Sequence, residues 1–537
     1  MAQKGSKKGS KDQGVREKVA KRPGTGRLSG RTGKGKGFLP FKLPEWDAQA
    51  DVVIVGYGAA GANAAIAAHD AGAEVLILEK MPIAGGNSGV SAGAMLIPEN
   101  LADAIHYYRA LSFGTVDEDL IRGFAEAMVG IPELLTTLGA EFTVLRRDPP
   151  YFPALLSSKI QRIQFNPTGL MGFKFLSDLV EKRRIKTMFK IQVQALVQIP
   201  GTKEVIGVEA ESAGKKIYIR AKKGVILACG GYEYNPEMLG YFNFPGLTEF
   251  IYPWGNPGNT GDGIKMALEA GAALWHTASI EWGPFCAKAP SREFGMAVGL
   301  GMGRAMPEGS FIFVNRYGKR FMKEDKNLIH RKDPLEVLYF DHERAEYPNL
   351  PAYIIFDESY RRRGPIACTL EFFKGLWGGP VGYPMIHKVH EWSNDNSLEI
   401  EKGWIIKADT IHDLAMKIDV DSPGLKETIK KFKSYCVGGK DPEFDRPENS
   451  LAPIETPPYY ALELALSLVN TQGGPKHNRH CQVLAFDNHP IPRLYAAGEL
   501  GSFFGFLYQG GNNYPEAWAF GQIAGKRASA EKPQNLP

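Results

Sequence analysis

The residues best placed to do chemistry are the glycines of Gly56-Tyr57-Gly58-Ala59-Ala60-Gly61. They follow the apolar run Asp51-Val52-Val53-Ile54-Val55 and open an alanine-rich segment, Gly61 to Ala71. Three tasks at this spacing call for glycine: Gly56 permits a tight turn, Gly58 lets the backbone approach a pyrophosphate, and Gly61 lets a helix pack closely on a strand. A helix over Gly61 to Ala71 turns free N–H groups at its N-terminus and its dipole toward an anion. Glu79 stands 23 positions after Gly56, at the end of the second apolar run Glu74-Val75-Leu76-Ile77-Leu78-Glu79. A carboxylate there accepts hydrogen bonds from a ribose. Strand, glycine turn, helix, strand and acid make a β-α-β unit of about 30 residues with a right-handed crossover. The chemistry predicted is dinucleotide binding.

The next run, Lys80-Met81-Pro82-Ile83-Ala84-Gly85-Gly86-Asn87-Ser88-Gly89-Val90-Ser91-Ala92-Gly93, offers more small residues and backbone donors than an adenosine half requires. Further blocks are Ala228-Cys229-Gly230-Gly231, Gly258-Asn259-Thr260-Gly261-Asp262-Gly263, Val314-Asn315-Arg316-Tyr317-Gly318-Lys319-Arg320-Phe321 and Leu494-Tyr495-Ala496-Ala497-Gly498-Glu499. A last one runs from Gly510-Gly511-Asn512-Asn513 through Phe520-Gly521-Gln522-Ile523-Ala524-Gly525. In these blocks, over about residues 47 to 530, the chain resembles the flavoprotein superfamily of fumarate reductase, succinate dehydrogenase and 3-ketosteroid dehydrogenases.

The resemblance implies FAD, with Gly56, Gly58, Ala59, Ala60, Gly61, Glu79, Lys80, Gly86, Asn87, Ser88, Gly93, Ala228, Gly230, Asp262, Gly498, Glu499, Asn512 and Asn513 as cofactor-binding residues. The N-terminal amides of the helix in the last block would face the N1/O2 edge of the reduced flavin. The histidine that holds FAD covalently in succinate dehydrogenase-like members is replaced by Asn87 and Ser88, so noncovalent FAD is expected. The fold class implied is α/β: a Rossmann-like FAD-binding domain with an inserted α+β capping domain. A disordered basic tail at 1–45 would precede the first part of the FAD-binding domain (46–280), the cap (281–468) and the second part (469–537).

The departures from the dicarboxylate pattern point away from fumarate. Where fumarate reductases carry a His-Pro-Thr, this chain reads Glu281-Trp282-Gly283-Pro284; where they carry a second histidine, it has Asn470; where they carry an arginine before a glycine turn, it has Tyr508. Burying two carboxylates without paired charge is prohibitive. A tyrosine before a glycine-rich turn resembles 3-ketosteroid dehydrogenases, which implies that the Tyr508 hydroxyl and the Gly511 amide bind a ketone oxygen and stabilise a developing enolate. A packing tyrosine beside the flavin is the alternative. Trp282, Phe285, Phe503, Phe504 and Phe506 are candidates for an apolar pocket or for core.

The acid/base is open. The family position, eight residues beyond Arg320, is Leu328, which cannot transfer a proton; His330 and Arg331 lie just beyond. Tyr151, Tyr232 and Tyr234 are the other candidates, and each would need its pKa lowered to act as a base. The expected activity is α,β-dehydrogenation of a small apolar cyclic ketone to the conjugated enone, with electrons passing to a separate acceptor such as a quinone, a dye or oxygen. A flavin ene-reductase and a noncatalytic flavin-binding subunit are the alternatives.

The elements that must position these groups are legible in part. Val205-Ile206-Gly207-Val208 and Lys216-Ile217-Tyr218-Ile219 read as a hairpin, and Gly224-Val225-Ile226-Leu227-Ala228 as a separate strand. Leu425 to Ser434 and Glu516 to Ala530 read as helices, Gln482-Val483-Leu484 and Leu494 to Gly498 as strands, and the region up to about 468 as polar and irregular. The 537 residues are 44% hydrophobic, ordinary for a globular enzyme. The net +5 is uneven: residues 1 to 37 hold 12 Lys or Arg against Asp12 and Glu17, about +10, so the rest carries about −5. That tail, poor in large apolar residues, is a solubilising extension or is attracted to an anionic surface. No nucleic-acid partner is expected; weak contact with a membrane surface stays open. No apolar run reaches the roughly 18 residues of a membrane span, and the five scattered cysteines form no Cys-x-x-Cys pair. The expectation is a cytoplasmic protein without a metal site.

Overall fold

Val52 to Val55, three valines and an isoleucine buried on both faces, end strand β1 (Ala48–Val55). Such a run suits the middle of a parallel sheet covered by helices. β1 lies parallel to β2 (Val75–Glu79) on one side and β9 (Lys215–Leu227) on the other. Helix α1 (Ala59–Asp70) makes the crossover. α1 packs against the closing helix, Asn513–Ser529, through small residues: β-carbons on Gly521 and Gly525 would come within 2.5 Å of the Ala60 oxygen and 2.3 Å of the Ala64 oxygen. The two ends of the chain thus build one nucleotide-binding unit.

The computed structural model describes residues 43–91, 93–156, 158–166, 171–243, 246–288, 309–324, 333–367, 390 and 392–534. Pro44–Pro537 is one compact unit. The eight-stranded sheet has the order β19 (Gln482–Leu484), β20 (Pro490–Ala496), β9, β1, β2, β6 (Lys186–Phe189). β7 (Ile191–Gln198) and β8 (Val205–Ser212) form an antiparallel extension on β9. The expected hairpin is present, but its second strand and the run from Gly224 are one element, β9. That strand is antiparallel to β8 over Lys215–Arg220 and parallel to β20 over Val225–Leu227, so its pattern changes from alternating to fully buried.

A seven-stranded sheet is built on β17 (Tyr459–Thr471). β17 pairs with β10 (Ile251–Pro253), β12 (Ile280–Trp282), β13 (Cys286–Ala287), β15 (Ala352–Asp357) and β16 (Ile405–Ala408), and β14 (Phe311–Asn315) extends the sheet beyond β15. This strand was not foreseen. Most of its residues are buried on both faces, so the period-2 signal that marks a strand in sequence is absent. It also carries the chain past residue 468 into Asn470 and Thr471, which puts both at the first sheet's glycine turns. The smaller sheets are β3 (Met95–Pro98), β5 (Ile160–Phe165), β4 (Phe142–Asp148) in that order, and β11 (Leu274–Trp275) with β18 (Gly474–Pro475). The helix expected from Leu425 runs Ser422–Gly438, begun three residues earlier because the Asp421 carboxylate accepts from the Gly424 amide. Among the described residues no helix is long and apolar enough to cross a membrane.

Candidate active site

The glycines of the first turn are glycines for different reasons. Gly56 has φ +104°, and a β-carbon there would lie 2.3 Å from the Ala228 oxygen; at Gly61 it would lie 2.0 Å from the Gly56 oxygen. Both are dictated by the protein's own packing. At Gly58 the nearest atoms, Gly85 O and Ser88 Oγ, would be 3.6 Å from a β-carbon, an ordinary contact. The protein has room there, so what requires glycine is what approaches from the open side. α1 starts at Gly58 without a side-chain cap on that residue, and Ser88 Oγ takes the Ala59 amide at 3.0 Å. The helix start therefore keeps donors for an anion.

Glu79 joins the second strand to this turn: its oxygens accept from Tyr57 N and Met81 N, both at 2.8 Å. Burial raises its pKa, with the two amides opposing. Further lone pairs remain for ribose hydroxyls. Lys80 pairs with Asp262 at 2.9 Å and donates to Thr260 Oγ1 at 2.7 Å. Gly86 packs on Gly58, and the Gly93 amide donates to Ser91 Oγ at 3.2 Å. The Ala228 amide donates to the Val55 carbonyl at 2.8 Å, and Gly230, at φ +69°, sits against the Asn259 side chain. From the other chain end, Gly498 at φ +85° packs on Ala60, and Glu499 reaches Asn87 Nδ2 at 2.8 Å. All these residues except Gly93 meet around the glycine turn of β1, and the uncapped helix start, the open face of Gly58 and the buried acid fit a dinucleotide such as FAD.

The closing helix begins in a polar network. Tyr508, buried, accepts the amides of Asn512 and Asn513 on its hydroxyl oxygen, each at 3.1 Å. The resemblance paired the Tyr508 hydroxyl with the Gly511 amide at a ketone oxygen; in the structure the Asn512 and Asn513 amides are turned onto the Tyr508 oxygen itself. Gly511 itself, at φ +79°, makes the turn and lies against Leu96. Burial pushes the Tyr508 phenol far up, the negative charge of Glu281 adds to this, and the two amides oppose it. Two accepted bonds polarise the hydroxyl as a donor while burial keeps its proton on. Asn513 exchanges hydrogen bonds with Gln472, at 2.9 and 2.8 Å, and accepts from Asn470 at 3.3 Å. Glu281 is buried directly across the sheet from Asn470.

Tyr151 comes to the same place. Its amide donates to Gln509 Oε1 at 2.9 Å, and its hydroxyl lies over Gly510, where a β-carbon would be 2.6 Å away. Tyr234 does not come here: its hydroxyl donates to the Gly255 carbonyl at 2.9 Å and burial holds its pKa far up. Tyr232 likewise donates to the Thr277 carbonyl. His330, Arg331 and Leu328 lie outside the described residues. Trp282, Phe285, Phe503 and Phe504 belong to the core, and Phe506 is 52% exposed with its ring against Phe113.

Sequence reasoning missed the supports. Gln509 is fully buried and also accepts from the Tyr107 hydroxyl at 2.7 Å. The Tyr108 hydroxyl donates to Asn512 Oδ1 at 2.9 Å. Glu516 ties the loop before the helix to its first turn, accepting from Ser502 Oγ at 2.7 Å and Phe503 N at 2.8 Å; burial pushes its carboxyl up to about 7. An acidic residue in the first turn of a helix is a detectable signal, because it complements the helix dipole. The tyrosines, 400 residues away in sequence, carry none.

The fold and cradle define a dinucleotide-binding oxidoreductase of the α/β class. The family model described as FAD binding domain matches residues 51–514, and this chain belongs to that family. It is an FAD-dependent oxidoreductase of the kind that acts on CH–CH groups. Urocanate reductase of Eggerthella lenta is 30% identical over 499 residues, 89% of this chain and 74% of that protein. 4-Oxocyclohexanecarboxylate 2-dehydrogenase of Sinomonas cyclohexanicum is 26% identical over 530 residues, 83% of this chain and 87% of that protein. The crystal structure of 3-ketosteroid delta1-dehydrogenase from Sterolibacterium denitrificans in complex with 1,4-androstadiene-3,17-dione shares the fold. Its TM-score is 0.73 at 23% identity, covering 90% of this chain and 99% of that one.

Proposed function

We propose that this enzyme removes hydrogen from the α and β carbons of a small apolar cyclic ketone, giving the conjugated enone. The observation that carries this reading is Tyr508: a buried phenol whose oxygen accepts two amides at a helix start has a polarised proton to offer a ketone oxygen. That donor stabilises negative charge as an enolate develops. Tyr151 is the proposed base for the α-proton, because of the sequence candidates among the described residues it alone lies on the Gln509-Gly510 turn that follows Tyr508. Bound FAD, held noncovalently, supplies the acceptor for the β-hydrogen as hydride. A separate acceptor, such as a quinone, a dye or oxygen, then takes the electrons.

Neutral substrate is favoured because Gly283, Asn470 and Tyr508 carry no positive charge, and Glu281 sets a negative one near the phenol. The likeness to 4-oxocyclohexanecarboxylate 2-dehydrogenase supports a cyclic ketone, although the substrate in that name also carries a carboxylate. A second reading, reduction of an enone or unsaturated acid, is favoured by the 30% identity with urocanate reductase. Anaerobic mixing separates the two. Bleaching of the oxidised flavin by a cyclohexanone-type ketone or a 3-ketosteroid supports dehydrogenation. Silence with ketones, together with rapid reoxidation of the reduced enzyme by an unsaturated acid, would overturn it.

A further inference from the structure

We infer that Glu233 and Glu499 share one proton and act as positioning residues for FAD, so that cofactor retention weakens as pH rises. The inference rests on membership of the FAD-binding family and is independent of the ketone reading. A single nitrogen, Asn87 Nδ2, donates to Glu233 Oε1 and to Glu499 Oε2, each at 2.8 Å. The remaining oxygens converge as well. A β-carbon on Gly231 would stand 2.5 Å from Glu499 Oε1, 2.6 Å from Glu233 Oε2 and 2.1 Å from Thr471 Oγ1. Glu499 Oε1 accepts the Thr471 amide at 3.3 Å, whereas Glu233 Oε2 has no hydrogen-bond partner although Glu233 is 1% exposed. The Thr471 hydroxyl stands beside that oxygen and opposes the rise at Glu233, and a proton held between the two carboxyl groups relieves the repulsion that one neutral hydroxyl leaves.

Two buried carboxylates this close titrate as a pair: burial raises both, and the charge of Glu233 raises Glu499 further. The surroundings offer no compensating cation. Among the described residues no lysine, arginine or histidine forms an ion pair with either. Of the titratable groups on the elements packed around them, Tyr232 and Tyr234 donate their hydroxyl protons away, to Thr277 and Gly255. Cys229 is raised by burial, Asp262 is engaged by Lys80, and Glu516 by Ser502 and Phe503. Asn259 Nδ2, at 2.7 Å from Glu233 Oε1, and Asn470 complete the shell with neutral amides.

The pair is anchored to both sides of the pyrophosphate cradle. Asn87 precedes Ser88, which holds the Ala59 amide, and Glu499 follows Gly498, which packs on Ala60. Loss of the shared proton puts a second negative charge into this frame, beside the place where a dianionic pyrophosphate must bind. FAD binding to the doubly ionised protein therefore takes up one proton, and Kd rises tenfold per pH unit above the pair's upper pKa.

The test is FAD release on dilution of the holoenzyme, followed by flavin fluorescence from pH 6 to 9, in wild type, E233Q and E499Q. Wild-type Kd is expected to climb by up to tenfold per pH unit, and each variant to flatten the climb. Calorimetric FAD binding to wild-type apoenzyme at pH 8.5 in two buffers of different ionisation heat gives the proton count without any variant; about one proton taken up is expected. A pH-independent wild-type Kd, no proton uptake, or an undiminished slope in either folded variant would overturn the inference. If both variants fail to fold, the calorimetric count alone decides.

Discussion

Tyr508→Phe removes one oxygen and leaves the ring to pack as before. That oxygen accepts the Asn512 and Asn513 amides, so the variant leaves two buried donors without their acceptor, at about 1 to 3 kcal/mol each as an upper range. A chain of this size spreads that cost over a large unfolding entropy, so Tm is expected to fall by only a few degrees. The kinetic effect is larger. Loss of one preorganised donor to a developing oxyanion typically lowers kcat on the order of 10² to 10³, about 3 to 4 kcal/mol. The assay is anaerobic stopped-flow bleaching of the flavin by a cyclic ketone, beside FAD titration and a thermal melt. Expected are a flavin reduction rate lower by about two to three orders of magnitude and FAD affinity within a few-fold of wild type. Burial holds the phenol protonated, so the ratio of wild-type to variant rate should stay constant from pH 6 to 9. A variant reducing its flavin within twofold of the wild-type rate would refute the carbonyl-polarising role. A ratio that changes tenfold per pH unit would mean that Tyr508 titrates as a base.

Gly58→Ala and Gly56→Ala should part company. The first has room for its β-carbon and should fold yet bind FAD at least tenfold more weakly, whereas the second meets the Ala228 oxygen at a left-handed φ and should lose soluble protein; unchanged FAD affinity in Gly58→Ala would contradict the open-face argument. Acid or heat precipitation should leave intact FAD in the supernatant, because Asn87 and Ser88 stand where a covalent histidine would; flavin remaining with the pellet would show a covalent link. Deletion of residues 1 to 37 should leave turnover within twofold, since the compact unit begins at Pro44, and a large loss of soluble activity would show that the tail is needed. Glu516, pushed up to about 7, keeps a proton that the unfolded chain gives up near pH 4.3. Its contribution is therefore full at low pH and is lost as pH rises toward 7, by up to about 4 kcal/mol. Tm of Glu516→Gln should fall less steeply than wild type between pH 5 and 8, and parallel curves would count against this.

What could be read from the chain alone followed from local rules. Gly56, Gly58 and Gly61 between an apolar strand and an alanine-rich helix, with Glu79 closing the second strand, announce a dinucleotide cradle because backbone conformation and hydrogen-bond supply depend on residues close in sequence. The substitutions at Gly283, Asn470 and Tyr508 were visible against a family pattern for the same reason. Three features were not legible. β17, buried on both faces, has no alternation to betray it. That the Asn512 and Asn513 amides bond the Tyr508 oxygen was not legible, because the left-handed turn at Gly511 decides which amides point back at the phenol. Tyr151 reaches Gln509 across 358 residues, and Glu233 reaches Glu499 through Asn87, itself 412 residues from Glu499. Sequence determined which backbone turns can hold an anion. Packing two distant chain ends around β1 and β17 decided which side chains share a buried site, because close approach in a folded core is independent of separation along the chain.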